Sequence, residues 1–85
     1  MEEKPLAKRV GILIRQLRRA AGMSQEAFAD HCGLHRTYVG SIERGEKTVT
    51  IETANKLARA LGLSLSELFR LLEKDESAQN EDRGG

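Results

Sequence analysis

Arg36, Thr37, Ser41 and Arg44 fall at the spacing of one helix face, and all four donate hydrogen bonds to anionic or base-edge oxygens and nitrogens. Near the start of a helix, the Arg36 guanidinium can meet guanine O6 and N7 with one planar fork, a contact carrying about 1–3 kcal/mol of base discrimination. A phosphate contact that reads no sequence is the alternative use of the same side chain. Thr37 is suited to a thymine methyl or a phosphate, and Ser41, one turn on, to the last reachable base edge. Tyr38 offers a hydroxyl to phosphate or a ring to sugar. Arg44, Lys47 and Thr48 are expected to hold the backbone across the groove. Gln25 opens an earlier helix, where free N–H groups and the helix dipole favour a phosphate.

Other chemistry finds no support. His31, Cys32 and His35 lie close in sequence, but Cys32 is expected inward and Gly33 interrupts the helix, so three metal ligands do not converge. No nucleophile–base–acid grouping, phosphate-cradling glycine loop or paired carboxylate pocket is present, which excludes an enzyme. No cofactor, metal or small-molecule ligand is expected.

The elements that must position these residues follow from periodicity and caps. Leu6, Val10, Leu13, Ile14, Leu17 and Ala21 form one helical stripe, opened by Pro5 and closed by Gly22. Ser24 is the predicted N-cap of a second helix, Gln25 to Cys32, burying Phe28, Ala29 and Cys32. A third runs from about His35 to Arg44, burying Val39 and Ile42, and Gly45 stops it. After a polar loop, Thr50 caps a fourth helix with Ile51, Ala54, Leu57, Ala58 and Leu61 inward, closed by Gly62. Ser64 and Glu67 form the capping box of a fifth, with Leu65, Leu68, Phe69 and Leu72 on one face.

The second and third helices are joined tightly. Ala29 permits a close crossing, Gly33 supplies a positive φ, and Leu34, Val39 and Ile42 plug the angle between them. An ordinary αα-hairpin of a bundle buries the same residues but gives no reason for Arg36, Thr37, Tyr38, Ser41 and Arg44 on the other face. These features predict an all-α fold with a helix-turn-helix in helices two and three.

Composition agrees with one small domain. The chain has 85 residues, a single proline and net charge +1. That small charge hides an asymmetry. Residues 1–50 hold nine cationic against six acidic side chains, whereas residues 51–85 hold five against seven. A basic front half fits a polyanion better than a membrane, and no apolar run spans a bilayer. No signal peptide is recognised, and a lone Cys32 leaves no intramolecular disulfide, so a cytoplasmic location is expected. The domain is assigned to residues 1–73, with residues 74–85 a disordered acidic tail.

Residues 6–72 resemble the lambda-repressor-like (XRE) helix-turn-helix family of five-helix domains. The resemblance rests on Ser24-Gln25-Glu26-Ala27-Phe28-Ala29-Asp30, Gly33-Leu34 and Ile42-Glu43-Arg44-Gly45. Within it, Arg36-Thr37-Tyr38-Val39 followed by Ile42-Glu43-Arg44 is similar to the controller proteins of restriction–modification systems. This resemblance implies a DNA-binding transcription regulator, a dimer in bacterial cytoplasm. It gives Gln25 a phosphate and pairs Arg18 with Glu43 structurally. It places Glu26 and Asp30 where lambda repressor touches RNA polymerase, although a solvated acid pair at a helix N-terminus is the plainer account.

Leu71, off the core stripe of the fifth helix, and Leu63, in the turn before it, exceed what one core face needs, and together with Leu61 and Leu65 they predict a two-fold interface. Homodimerisation on a palindromic operator follows, because one helix reads only a few base pairs. The alternatives are another stand-alone regulator of this family, of antitoxin or plasmid-control type, and a protein-bridging module with the same fold.

Overall fold

The computed structural model describes residues 5–84, with side chains as far as Lys74, and its order is α1 (Leu6–Ala20), α2 (Gln25–Cys32), α3 (Arg36–Glu43), α4 (Ile51–Ala60) and α5 (Leu65–Gly84). Each helix start has a local cause. The Ser24 hydroxyl accepts from the Ala27 N–H at 3.0 Å, and Thr50 Oγ1 accepts from the Thr53 N–H at 3.1 Å. At α5 the box is reciprocal. The Glu67 N–H donates to Ser64 Oγ at 3.1 Å, and the Ser64 N–H donates to Glu67 Oε1 at 2.7 Å.

The start of α3 lies one residue later than the expected His35. His35 lies outside the helix as its N-cap, and its Nδ1 accepts from the Thr37 N–H at 3.1 Å. The helix therefore begins at Arg36, and its first turn is held by an imidazole.

Ile14, Phe28, Val39, Ile42 and Leu57 are wholly enclosed, and Leu13, Ala29, Cys32, Ala54, Ala58 and Leu68 complete the core. At 25 cal/mol per Å² of apolar surface, each of the five large side chains contributes about 1.5–3 kcal/mol on burial. The stripe positions at the helix ends depart from the expected pattern. Leu6, Ala21, Ile51 and Phe69 are exposed. Ile51 is the first residue of α4, and Cα–Cβ bonds tilt towards a helix N-terminus, which carries it past the edge of the core. Phe69 yields the inward position to Leu68.

Two features bring α1 and α3 together. Gly11 is buried in α1, where a Cβ would strike the Ile42 carbonyl oxygen and come within 2.7 Å of that of Glu43. Only glycine allows the two backbones to approach so closely. The second is a buried ion pair, described below.

The C-terminus also departs from expectation. Composition predicts disorder for residues 74–85, whereas the backbone continues α5 as far as Gly84; Gly85 lies outside the described residues. Glu, Lys, Ala and Gln are good helix formers, and no proline or glycine interrupts them before Gly84.

Candidate nucleic-acid interface

The turn between α2 and α3 is compact. Gly33 sits at φ 70°, the left-handed region, and lets the Leu34 N–H donate back to the Ala29 carbonyl at 2.9 Å. Ala29, 2% exposed, lies at the crossing, and Val39 and Ile42 anchor the inner face of α3.

The far end of α3 is fastened by a polar cluster. Arg18 Nε donates to Glu43 Oε2 at 2.6 Å, and its Nη2 donates to Glu43 Oε1 at 3.1 Å. The remaining Arg18 nitrogen, Nη1, donates to the Met23 carbonyl at 2.8 Å. Both side chains are buried, so the fork satisfies the carboxylate where water does not reach it. Gln25 joins the cluster, its Nε2 donating to Glu43 Oε1 at 3.0 Å. One carboxylate thus ties α1, the start of α2 and the end of α3.

Arg36 opens α3 and Arg44 caps its end, and Gly40 between them is buried. Arg36 and Thr37 are exposed at the N-terminal turn. A Cβ at Gly40 would meet Arg44 Nη1 at 3.1 Å and Gln25 Oε1 at 3.6 Å. The Gln25 amide and the Arg44 guanidinium therefore lie over the same segment of α3 and cover it. Tyr38 is half-buried and packs against the core. Lys47 and Thr48 are exposed in the loop before α4, and Glu26 and Asp30 are exposed on α2.

Ser41 differs from its sequence reading. It is 9% exposed, and its hydroxyl donates to the Thr37 carbonyl one turn back at 3.1 Å. That back-bond turns the hydroxyl along the helix instead of outward.

Arg44 is also engaged. Its Nε donates to Glu46 Oε2 at 2.9 Å and its Nη2 to Glu46 Oε1 at 3.3 Å. The pair is open to solvent, with side chains 58% and 55% exposed. The bond to Arg44 holds the Glu46 carboxyl below the usual range, with Lys47 and Lys8 adding to the effect.

Leu61, Leu63, Leu65 and Leu71 are half-buried, and Leu61, Leu63 and Leu71 also pack against the core. Among the described residues no group of three or more His, Cys, Asp or Glu side chains gathers to hold a metal ion, and no helix is long and apolar enough to cross a membrane. The Cys32 thiol is buried, and burial pushes it up to about 11 from an ordinary 9.0.

Sequence reasoning missed Gly11, Gly40, the His35 cap, the attachment of Gln25 to Glu43, and the role of Glu46. A glycine inside a strongly amphipathic helix is the one signal that marks Gly11 and Gly40 in advance.

Comparison with known proteins places these features in a wider group. A helix-turn-helix family model matches residues 14–68. The control protein C.SmaI of Serratia marcescens is 47% identical over 56 residues, 66% of this chain and 67% of that protein. The control protein C.MunI of a Mycoplasma species is 41% identical over 68 residues, 79% of this chain and 92% of that protein. The crystal structure of the restriction-modification controller protein C.AhdI from Aeromonas hydrophila is similar with a TM-score of 0.70 and 44% identity, covering 73% of this chain and 94% of that one. The controller protein C.Esp1396I, solved as a tetramer in complex with its natural 35 base-pair operator, is similar with a TM-score of 0.78 and 33% identity, covering 85% and 95%.

Proposed function

The chain belongs to the helix-turn-helix family, and from that membership we propose that it is a sequence-specific DNA-binding transcription regulator of the restriction–modification controller type, acting as a homodimer on a palindromic operator. The observation that carries this reading is the pair of exposed polar side chains on the first turn of α3, with two more polar groups gathered behind them. Arg36 and Thr37 are exposed on its N-terminal turn, and Gln25 and Arg44 meet over the buried Gly40 behind them.

In the major groove, Arg36 reads a guanine edge and Thr37 a neighbouring methyl or phosphate. Gln25 and Arg44, which meet over Gly40, take backbone phosphates on one side of the groove, with Lys47, Thr48 and the Tyr38 hydroxyl extending those contacts. Ser41 supports the helix through its back-bond, and base reading falls to Arg36 and Thr37. Two copies, joined through Leu61, Leu63, Leu65 and Leu71, set their recognition helices about 34 Å apart, one turn of DNA. Glu26 and Asp30 remain outside the DNA face, available to RNA polymerase at an adjacent promoter.

The test is selection of a duplex from a random pool, followed by measurement of its affinity relative to scrambled DNA. Wild-type protein is expected to prefer the selected site by at least a thousandfold, with affinity falling steeply as salt rises. Arg36→Ala is expected to lose about tenfold to a hundredfold of that preference per half-site. Unchanged discrimination contradicts the assignment of the reading surface. The controller assignment is tested by the genes whose promoters carry the selected sequence, which should include a methyltransferase and an endonuclease.

A further inference from the structure

Arg44 folds back along α3 in this structure. Its Nη1 lies over Gly40, its Nη2 reaches Ser41 Oγ at 3.5 Å, and both Nε and Nη2 are bonded to the Glu46 carboxylate. Two N–H groups of one guanidinium facing two oxygens of one anion is the geometry that arginine also uses on a phosphate. The loop that presents Glu46 is fixed beside the helix end. The Glu46 N–H donates to the Ser41 carbonyl at 3.0 Å, and the Gly45 N–H donates to the Ile42 carbonyl at 2.9 Å. A Cβ at Gly45 would meet the Lys8 Cα at 2.9 Å, so α1 packs directly on this turn. An acidic side chain on the rim of a DNA-binding face repels the backbone it must approach, and here it is pointed at a cation of that same face.

We propose that Glu46 is an internal stand-in for a DNA phosphate: it occupies the Arg44 guanidinium in the free protein, and DNA must displace it to take Arg44. The inference rests on the DNA-binding reading and adds to it a residue that sets affinity by competition. Glu46 acts through Arg44 and is a positioning residue. It weakens operator and non-operator DNA alike, because the contact it blocks is to the backbone. The exchange is chemically even, one bidentate anion for another, so its size is that of an exposed ion pair, about three- to fivefold in affinity per protomer. Such a brake leaves discrimination to Arg36 while lowering the time spent on random sequence.

The experiment is a double-mutant cycle on DNA affinity, using wild type, Glu46→Gln, Arg44→Ala and the double variant, each binding the selected duplex and a scrambled one at fixed salt. Melting temperatures check that the exposed substitutions leave the fold intact. Glu46→Gln is expected to tighten both duplexes about three- to fivefold per protomer, and to have no such effect once Arg44 is alanine. Equal tightening with and without Arg44 overturns the proposal, because Glu46 then acts by plain repulsion. Unchanged or weaker binding by Glu46→Gln also overturns it. Failure of the wild type to bind either duplex overturns the DNA-binding reading itself, and is distinguished from the other outcomes by the first measurement.

Discussion

At the scale of single residues, the most consequential side chain is Glu43, which makes no proposed contact with DNA. Its carboxylate is buried and accepts from both Arg18 and Gln25. Removing it strands the Arg18 guanidinium in a dry site, so Glu43→Ala is expected to destabilise the protein by about 3–5 kcal/mol. A chemical denaturation midpoint measures this, and an unchanged midpoint contradicts it. Cys32 allows a second check. With the thiol enclosed and its ionisation pushed up to about 11, alkylation of the native protein at neutral pH is expected to be slow and to accelerate on unfolding. A rapid reaction in the folded state excludes this burial. The pairing of Arg18 with Glu43 was legible through family resemblance. The attachment of Gln25 was not, because sequence spacing does not reveal that three helices meet at one carboxylate. Ser41 was misjudged for a related reason. Its position on the helix was right, but a serine inside a helix can satisfy its hydroxyl on the preceding turn.

At the scale of elements, four of the five helix starts were readable from local chemistry: Pro5, Ser24, Thr50 and the Ser64–Glu67 pair are punctuation that acts over three residues. The imidazole cap of α3 was not readable, since histidine rarely serves there. The box at α5 has a pH signature. The Ser64 N–H bond to the Glu67 carboxylate, supported by the Ser64 hydroxyl, lowers the Glu67 pKa from its ordinary 4.5. A depressed carboxylate stabilises the folded state above its unfolded pKa, and that contribution disappears as pH falls through the folded value. The Ser64 amide resonance is therefore expected to titrate with a midpoint below 4.5, and a midpoint at or above 4.5 argues against the box. Close approach of α1 and α3 makes a sharper prediction. Gly11→Ala favours an isolated helix by about 1 kcal/mol. Here it forces a methyl onto two carbonyl oxygens, so the net effect is expected to be destabilisation by about 1–3 kcal/mol, with α3 tilted outward. A more stable Gly11→Ala protein rules out the contact. The missed exposure of Ile51 belongs here too. Periodicity assigns a face but does not say where the neighbouring helix ends.

At the scale of the whole molecule, the core is small and enclosed by α1 to α4 and the first turns of α5, which was legible because apolar stripes add to one interior. The partner surface was less legible. Of the leucines expected at a two-fold contact, Leu61, Leu63 and Leu71 are shared with the protein's own core, and sequence cannot apportion one side chain between two neighbours. Leu65 lies outside that core cluster and gives the cleaner test. Leu65→Glu is expected to sediment as a monomer while keeping most of its thermal stability, and to lose operator affinity more than affinity for a single half-site. A dimer that survives the substitution relocates the interface.

At its end α3 is gripped through its last two residues, where Gly11 admits the Ile42 and Glu43 backbone and Arg18 and Gln25 hold the Glu43 carboxylate. At its start the Gly33 turn and the His35 imidazole hold the backbone, and the exposed Arg36 and Thr37 side chains take no part in either hold. The helix is in effect a beam held at both ends, with two side chains left uncommitted on its first turn. Vocabulary can be rewritten at those two side chains without loosening either hold, so a library randomised at positions 36 and 37 should yield proteins that melt together yet prefer different operators.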